Sequence, residues 1–356
     1  MTMENLRYHL HRLRGIRLEK LRTCVRKCAG RSGRSRISIF ADMCLCYLLF
    51  GAVYTDYLLF GFDMLPLRAK KDYLTRTRLH KLLLWANPPA ACEVVGSKYR
   101  FYQQYREYMG RRMIRCDAAE AELDGFLAEN PRFFLKPDEG TGGEGVHEVR
   151  REDYGSNAEL KAYLRSCKDC VLEQVITQHP LLARFNPDSV NTLRIVRLCT
   201  GAEPELVFCA LQIGRRGRRV DNLCAGGMVC AVDTRRGCVC SDAFDNDGDR
   251  WPTHPDDADT VFNGMTVPCL AEALALSSAA AQRLYREAGL RLVGFDIAVT
   301  PEGPILSEAN PYPTHYSWQR PGFADGQIPT GLWKLLKDKM ADTDAAAREG
   351  RGKQHV

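Results

Sequence analysis

The segment FDIAVTPEGPILSEANP, residues 295–311, has the pattern of a largely apolar β-hairpin that nevertheless holds Asp296, Glu308 and Asn310. Glu308 and Asn310 alternate along one strand and therefore share a face. Asp296 lies on the partner strand and joins that face only through a three- or five-residue loop or a β-bulge near the Gly303 turn, because a strict four-residue loop would turn it away. Such an oxygen-only set suits Mg²⁺ or Mn²⁺ bridging nucleotide phosphates. The alternative is a hairpin whose acids are solvated or paired with arginines.

Composition indicates a soluble globular protein. The chain has 356 residues, enough for a sizeable core and two or three subdomains, with 45% hydrophobic and 26% charged content. Its 15 cysteines are odd in number and scattered, and the CxxC spacing of Cys167 and Cys170 has no second half-site. We therefore expect reduced, small apolar cysteines in a cytoplasmic protein rather than a zinc or redox site.

Positive charge is concentrated at the N-terminus. Residues 1–36 carry eleven Lys and Arg and two acids, 11 − 2 = +9, so the rest of a chain of net charge +6 is about −3. This basic arm is either a solvated helix face with a flexible link, or a segment that attracts an anionic partner such as acidic polysaccharide or membrane lipid. Aromatic residues that would stack on bases do not alternate with these cations, so no nucleic acid is expected. No cleavable signal peptide is expected, because residues 1–36 lack an apolar core.

The apolar stretch Ile37–Phe62 raises the question of a membrane span. Asp42 and Asp56 interrupt it, and its longest uncharged run, Met43–Thr55, has 13 residues. A span requires about 18 to 20 residues. The stretch therefore predicts a buried core helix broken near Gly51, the alternative being a hydrophobic surface that lies on a membrane beside the basic arm.

The pattern of the chain changes near Phe133. Before it, Leu, Arg, Lys and Tyr recur at helical spacing. From there to about Asn310, short β-branched runs alternate with glycine turns, which is typical of a mostly antiparallel α+β body, interrupted by one helix over 268–288. A last helix is predicted over Trp333–Met340. The sequence predicts four segments: a helical region with the basic arm (1–90), a subdomain with a glycine-rich loop (91–175), a C-terminal subdomain with the metal hairpin (176–340) and a disordered polar tail (341–356).

The glycine-rich loop is the second informative stretch, FFLKPDEGTGGEGV, residues 133–146. A strand ends in Lys136, and glycines follow that let backbone N–H groups approach phosphate oxygens. The lysine precedes the glycines, so this is not a Walker loop, and a strand rather than a helix follows, so it is not a dinucleotide fingerprint. By itself the stretch is equally compatible with a flexible hairpin.

Taken together, these motifs resemble a known family. Between the loop and the hairpin lies VLEQVI, residues 171–176, an apolar strand with one acid that offers backbone groups to a purine edge. The order of lysine strand, glycine loop and D-x₁₁-E-x-N set resembles the ATP-grasp superfamily. The segments SKYRFYQQY, VDNLCAGGMVCAVD and VGFDIAVTPEGPILSEANPYP resemble its sugar-transfer-associated group, over roughly residues 96–310. The resemblance implies an ATP-grasp fold, α+β, in which two α+β subdomains enclose ATP with Mg²⁺ or Mn²⁺.

The resemblance assigns the nucleotide contacts. Lys136 matches the lysine that contacts the ATP phosphates, and Lys98 matches the one that reaches the α-phosphate, the alternative being a surface charge on a helix. Glu173 would lie on the hinge strand that grips adenine. The loop over the β- and γ-phosphates would comprise Gly140, Thr141, Gly142, Gly143 and Gly145. The backbone of Gln174 and Val175 would contact adenine, and Asn222 would lie near the phosphate or the acceptor. Gln178 would take the ribose position, where this sequence lacks the family's usual acid.

The resemblance also implies a reaction. A carboxylate attacks the γ-phosphate to give an acyl phosphate and ADP, and an amine or related nucleophile then displaces phosphate. Catalysis would rest on Lys136 and on Arg194, which matches an arginine that neutralises the transferring phosphate, unless it is simply paired on a strand face. The metal ligands would be Asp296, Glu308 and Asn310.

The function expected from the family is an ATP-dependent carboxylate–amine (or related) ligase in cell-surface polysaccharide or natural-product biosynthesis. Its partners would be a small-molecule carboxylate and an amine or hydroxyl acceptor, sugar-linked acceptors included, with residues 312–325 shaping their pocket. Two alternatives remain open: an ATP-grasp phosphotransferase that acts on a hydroxyl, and a non-catalytic nucleotide-binding scaffold. Peripheral contact with a membrane or another anionic surface through residues 1–36 is a further expectation.

Overall fold

The computed structural model describes residues 17–140, 144–217, 223, 226–316, 319 and 332–353. These residues form two compact units. The first comprises 17–82, 319 and 332–353, and the second comprises 83–316. The domain limits predicted from the sequence within the second unit stay predictions.

The first unit is helical, as the sequence predicts for this region. Its helices from the N-terminal side are α1 (Leu18–Ser32), α2 (Arg36–Phe50), α3 (Tyr54–Leu59), α4 (Leu67–Lys70) and α5 (Arg76–Ala86), the last of which continues into the second unit. Four fully buried rings, with centroids 5.1–6.0 Å apart, form the aromatic centre of this unit: Tyr57, Phe60, Phe62 and Tyr73. Gly51 ends α2 with a φ of 66°, which confirms the predicted break.

The prediction that α2 is a buried core helix is wrong for one of its faces. Ile39, Met43 and Cys46 recur at helical spacing and are buried, but Ile37 is 82% exposed and Leu48 is 79% exposed. An α-helix needs only one stripe to pack on a small unit, so other apolar residues of α2, such as Ile37 and Leu48, point to solvent. Among the described residues, no helix is long and apolar enough to cross a membrane.

The second unit begins with helices and a four-stranded antiparallel sheet. The helices are α6 (Pro89–Cys92), α7 (Lys98–Met109), α8 (Glu120–Glu129) and α9 (Asn157–Ser166). The strands β1 (Met113–Arg115), β2 (Arg132–Pro137), β3 (His147–Arg150) and β4 (Cys170–Gln174) pair in the order β1-β4-β2-β3. Phe133 and Leu135 on β2 join α8 and α9 in one apolar cluster, so Phe134 and Lys136 lie on the opposite face.

A larger antiparallel sheet follows. Its strands are β5 (Thr192–Leu198), β6 (Glu205–Ile213), β7 (Met228–Asp233), β8 (Cys238–Val239), β9 (Ala243–Asp245), β10 (Arg250–Trp251), β13 (Leu292–Thr300) and β14 (Gly303–Asn310), with the order β10-β9-β7-β6-β5-β13-β14 and β8 paired to β7. The strands β11 (Thr253–His254) and β12 (Asp257–Val261) pair separately, and the helices are α10 (Pro180–Ala183) and α11 (Leu270–Ala288). The predicted strand runs and the helix over 268–288 are confirmed.

The larger sheet uses its two faces differently. Ile195, Leu211 and Ile297 belong to an apolar cluster that includes residues of α7 and α11. Because side chains alternate along a strand, Arg194 and Asp296 lie on the other face. The main core therefore covers one side of this sheet, and the other side carries these charged groups together with a smaller apolar cluster that includes Ala210, Val229 and Phe244.

The C-terminal helix is longer than predicted. The helix α12 runs over Leu332–Lys353, whereas the sequence predicts a helix over Trp333–Met340 and a disordered tail over 341–356. The charged composition of the tail suggested disorder, but it contains a run of alanines at 345–347, and alanine has the highest helix propensity of all residues. Local propensity thus continues the helix beyond its packed first turns.

Candidate active site

The hairpin of β13 and β14 pairs Asp296 directly with Glu308, as the metal hypothesis requires. The connection differs from the one expected, since Thr300 pairs with Gly303 around a two-residue turn and the bulge lies beside Asp296 rather than near that turn. Leu306 pairs with Ile297 in the core, and Ser307 is the extra residue. Without this bulge, Leu306 and Glu308 would share one face, because they are two residues apart.

The polar faces of the two sheets line one cleft of about 680 Å³ within the second unit. The smaller sheet contributes Phe134, Lys136 and Glu173, and the larger sheet contributes Arg194 and Asp296. Each of these side chains has at least one strand neighbour in an apolar cluster, so alternation along the strand directs it towards the cleft. The alternation of apolar and polar side chains along these strands therefore places the polar ones in the same cleft.

A buried ion cluster lies at the wall of the cleft. Glu173 is 2% exposed and pairs with Lys136, Nζ to Oε2 at 2.5 Å, and with Arg111 through the other carboxylate oxygen. Burial opposes ionisation of this acid, but the charges of Arg111 and Lys136 outweigh it and lower the pKa of Glu173 to about 2. The carboxylate thus stays charged and holds the lysine in place.

Arg111 also binds the bulge of β14. Its guanidinium donates to the carbonyl oxygens of Leu306 at 2.7 Å and Ser307 at 2.8 Å, and to that of Met109 at 3.1 Å. A bulge interrupts the hydrogen-bond ladder, and Arg111 supplies donors at that interruption. One buried arginine therefore connects Lys136, through Glu173, with the strand that carries Glu308.

Arg194 forms a two-pronged ion pair with Asp296. Its Nε and Nη2 atoms lie 2.6 and 2.9 Å from the two carboxylate oxygens, and Gln212 Nε2 donates to the same acid at 3.2 Å. The two residues oppose each other on β5 and β13. The alternative expected for this arginine, pairing on a strand face, is the arrangement in this structure, and it occurs inside the cleft.

Lys98 secures the base of the glycine loop. Its Nζ donates to the carbonyl oxygens of Pro137 at 2.9 Å, Asp138 at 3.3 Å and Gly140 at 3.2 Å. Asp138 in turn accepts from Ser97 Oγ and from the backbone N–H of the residue after Lys98, each at 2.7 Å. Burial lowers the pKa of Lys98, and the charge of Glu308 opposes that effect. The lysine is therefore no mere surface charge on a helix.

A second chamber of about 560 Å³ adjoins the cleft and shares Lys98, Lys136 and Glu308 with it. Asn310 lines this chamber rather than the cleft, and its Oδ1 accepts from the backbone N–H of Tyr312 at 2.8 Å. Tyr312 lines the same chamber. Glu308 thus lies where the two spaces meet.

The donor set fits a divalent cation. Asp296 and Glu308 face each other across the ladder, and Asn310 follows on the same strand face, so the set offers only hard oxygens. The side chain of Glu308 opens onto the cleft, where partial desolvation and the charge of Asp296 raise its pKa, and a cation would relieve this crowding of negative charge. Among the described residues, no three His, Cys, Asp or Glu side chains form a metal-binding group, and the third oxygen here belongs to an amide.

Most of the predicted site residues line the cleft. These are Lys98, Lys136, Gly140, Glu173, Gln174, Val175, Gln178, Arg194, Asp296 and Glu308. Gly145 lies beside the lining residues Glu144 and Val146, and Asn310 lines the adjoining chamber. Thr141, Gly142, Gly143 and Asn222 lie outside the described residues. The amide of Gln178 bonds the side chain and carbonyl of Asn191 at 3.0 and 2.8 Å, so its ribose role stays a prediction.

Sequence reasoning missed Arg111 and Asp138. Arg111 follows Gly110 at the end of an amphipathic helix in a chain rich in arginine, and nothing in its spacing marks it as buried. Asp138 directly follows the strand that ends at Pro137, next to the glycine loop, so its place in the chain was a usable signal. The hydrogen bonds that Asp138 accepts from Ser97 and from the backbone N–H of Tyr99 depend on the tertiary fold.

Comparison with solved structures finds similar chains at low identity. ATP-grasp ligase PsnB complexed with minimal precursor, Mg and ADP matches with 14% identity and a TM-score of 0.42, covering 72% of this chain and 62% of that chain. D-alanyl-alanine synthetase A from Vibrio cholerae matches with 14% identity and a TM-score of 0.42, covering 72% and 67%. Macrocyclase MdnC from Microcystis aeruginosa, bound with precursor peptide MdnA, matches with 15% identity and a TM-score of 0.40, covering 78% and 73%.

The match to PsnB spans less than two thirds of that protein's length. No curated protein sequence matches the chain. A sequence model described as sugar-transfer associated ATP-grasp matches residues 86–320, which is more than half of the chain and includes every predicted site residue. The chain belongs to the sugar-transfer associated ATP-grasp family.

Proposed function

We propose that the protein is an ATP-dependent ligase that activates a carboxylate as an acyl phosphate and transfers it to an amine or a related nucleophile. The observation that supports this most directly is the pairing of Asp296 with Glu308 opposite Lys136 in one cleft. A metal–nucleotide complex requires acids that bind the metal and a positive charge that binds phosphate. Asp296 and Glu308 would supply the first, and Lys136 on the other sheet would supply the second.

ATP would lie between the two sheets. Backbone groups of Gln174 and Val175 would contact adenine, since the side chain of the preceding Glu173 is held by Arg111 and Lys136. The glycine loop, held at its base by Lys98, would cover the phosphates.

The metal would be held by Asp296, Glu308 and Asn310. When bound, Mg²⁺ or Mn²⁺ would neutralise phosphate charge and orient the phosphoryl group. Arg194 is kept beside the same position by its ion pair with Asp296. Lys136 and Arg194 thus contribute fixed positive charge without having to reorganise during the reaction.

In the proposed first step, a carboxylate oxygen of the substrate bonds to the γ-phosphorus, the bond to the β-phosphate bridge breaks, and ADP leaves. In the second step, the nucleophile attacks the acyl carbon, loses its proton, and inorganic phosphate leaves. The chamber beside Glu308 is the space we assign to the carboxylate and its acceptor, because it meets the cleft at Lys98 and Lys136.

The pathway assignment follows from the family name alone. We propose small-molecule or sugar-linked substrates, a role in cell-surface polysaccharide or natural-product biosynthesis, and a cytoplasmic location. The mixed lining of the chamber, with Arg100, Glu93 and Tyr312, is compatible with a polar substrate that carries a carboxylate.

The test measures ADP and free phosphate released from Mg-ATP with pooled amino acids and pooled acidic sugars. The control is the double variant Asp296→Asn/Glu308→Gln, which keeps side-chain size and removes both charges. Equal amounts of ADP and phosphate, dependent on both pools and lost in the control, would support the ligase.

Other outcomes would contradict the ligase. ADP without free phosphate would indicate phosphoryl transfer to a hydroxyl. No turnover, together with no heat of Mg-ATP binding in calorimetry, would leave the non-catalytic scaffold as the better description.

A further inference from the structure

The outer side of α2 is apolar without interruption. Seven residues of this helix are exposed and uncharged at successive positions on one side, and we call them the α2 outer face: Ile37, Phe40, Ala41, Cys44, Leu45, Leu48 and Leu49. The exposed fractions reach 82% at Ile37 and 79% at Leu48. The acid of this helix, Asp42, is turned inward and binds Lys70 and Arg34. A soluble surface rarely leaves such a continuous apolar stripe in water.

Positive charge is concentrated on α1 and at the start of α2. Residues 17–36 include eight Lys and Arg and one acid, 8 − 1 = +7, over α1 and the start of α2. Arg31 and Arg34 are committed to Asp63 and Asp42. Five others are exposed: Arg17, Lys20, Arg22, Arg26 and Arg36. The two helices pack against each other, so these cations lie on α2 itself or on the helix next to it.

The length of the helix decides how it would meet a bilayer. With 15 residues, α2 is about 22 Å long, shorter than the roughly 30 Å hydrocarbon core. It therefore cannot span, but it can lie in the plane of the interface with its apolar side inserted. An apolar stripe flanked by Lys and Arg is the pattern of such interfacial helices, and anionic lipid attracts the cations.

A protein partner fits the α2 outer face less well. Interfaces between proteins carry about one hydrogen bond per 100–200 Å² and a polar rim. The seven face residues offer no polar side chain except the thiol of Cys44.

We propose that the α2 outer face binds the surface of an anionic membrane, with α2 lying in the interface and the cations of α1 and Arg36 contacting lipid phosphates. This binding is independent of the proposed function, because it uses residues of the first unit only.

The test is flotation of the full chain with vesicles of phosphatidylcholine, alone or with about one third phosphatidylglycerol, at low and high salt. We expect binding to the anionic vesicles that weakens at high salt. Ile37→Ser/Leu48→Ser and, separately, Arg22→Glu/Arg26→Glu should each reduce the partition coefficient about tenfold or more. The matched control is Leu84→Ser/Leu181→Ser, two exposed leucines of the second unit that should leave binding unchanged.

A second measurement does not depend on any variant that lowers stability. A polarity-sensitive fluorophore on Cys44, the exposed cysteine among those described, should shift to the blue with anionic vesicles, its attachment checked by peptide mass spectrometry.

Three results would overturn the proposal: no binding to anionic vesicles at low salt, equal loss in the Leu84/Leu181 control, or an unshifted fluorophore on bound protein. A further result would assign the face to a second copy of the chain. In that case light scattering would show a dimer in the absence of lipid that Ile37→Ser/Leu48→Ser converts to a monomer.

Discussion

At the scale of single residues, Arg111 is the side chain on which the most contacts of the site converge. Arg111 joins Glu173, the acid that holds Lys136, to the carbonyl groups of the bulge. Its neighbour Arg112 pairs with Glu129 at the surface. Two adjacent arginines thus provide a buried ion pair and an exposed one for direct comparison.

Replacing Arg111 with alanine should destabilise the second unit by about 3–5 kcal/mol, because Glu173 and two carbonyl groups lose their buried donors. Arg112→Ala is the control and should cost less than about 1 kcal/mol. Urea unfolding, followed by circular dichroism, measures both. Equal effects of the two substitutions would contradict the positioning role of Arg111.

Asp42 predicts how the first unit responds to acid. Burial opposes ionisation of this acid, but hydrogen bonds from Tyr57, Lys70 and Arg34 outweigh it and lower its pKa from 3.8 to about 2. A pKa lower in the folded than in the unfolded state stabilises the fold above about pH 4, and this stabilisation is lost as the pH falls towards 2. Melting temperatures of the wild type and Asp42→Asn should therefore differ at pH 6 and converge near pH 2.

The control for this pH dependence is Asp338→Asn, because Asp338 forms an exposed pair with Lys334 on α12. Its effect on melting should be small at both pH values. If the difference between the wild type and Asp42→Asn instead grew on acidification, folding would not lower the pKa of Asp42.

At the scale of elements, the end of α7 is fitted closely to β14. Gly110 has a φ of 55°, and a Cβ atom there would lie 2.4 Å from Cγ2 of Ile305. Gly289, at the end of α11, has a φ of 73° and open space around it. A side chain at either position would therefore strain the backbone, but only a side chain at Gly110 would also clash with a neighbouring residue.

Gly110→Ala should destabilise the protein more than Gly289→Ala, which carries only the left-handed backbone cost of about 1–2 kcal/mol. Adding Ile305→Ala to Gly110→Ala should recover part of the loss, because it removes the clashing atom. A double-mutant cycle of unfolding free energies measures this coupling. Additive effects would mean that β14 moves aside without cost.

The elements could be predicted from the sequence because alternation and helical spacing are local signals. The strands around Lys136, Arg194 and Asp296 follow directly from their apolar neighbours. The position of the bulge at Ser307 could not be read, since it depends on which carbonyl groups Arg111 reaches. The exposed side of α2 was likewise hidden, because an apolar composition does not state how much of a helix another element covers.

At the scale of the whole molecule, the cleft lies within the second unit alone. Mg-ATP should therefore increase the free energy of unfolding by about 2.7 kcal/mol at one hundred times its dissociation constant. Asp296→Asn/Glu308→Gln should abolish this gain, whereas Asp42→Asn, in the first unit, should leave it unchanged. Calorimetric unfolding with and without Mg-ATP measures the gain, and its loss in Asp42→Asn would contradict a site confined to the second unit.

The ladders around Asp296 have a consequence for the order of folding. Its pairing with Glu308 closes a two-residue turn, whereas its pairing with Arg194 joins positions 102 residues apart. Short closures form within microseconds, and distant ones are slower because more chain entropy is lost before they are rewarded. The two acids therefore meet early and repel each other until the arginine arrives. Refolding should become faster with added salt, because salt screens the repulsion between Asp296 and Glu308. A chain that has not finished folding holds these two acids without the positive charge of Arg194.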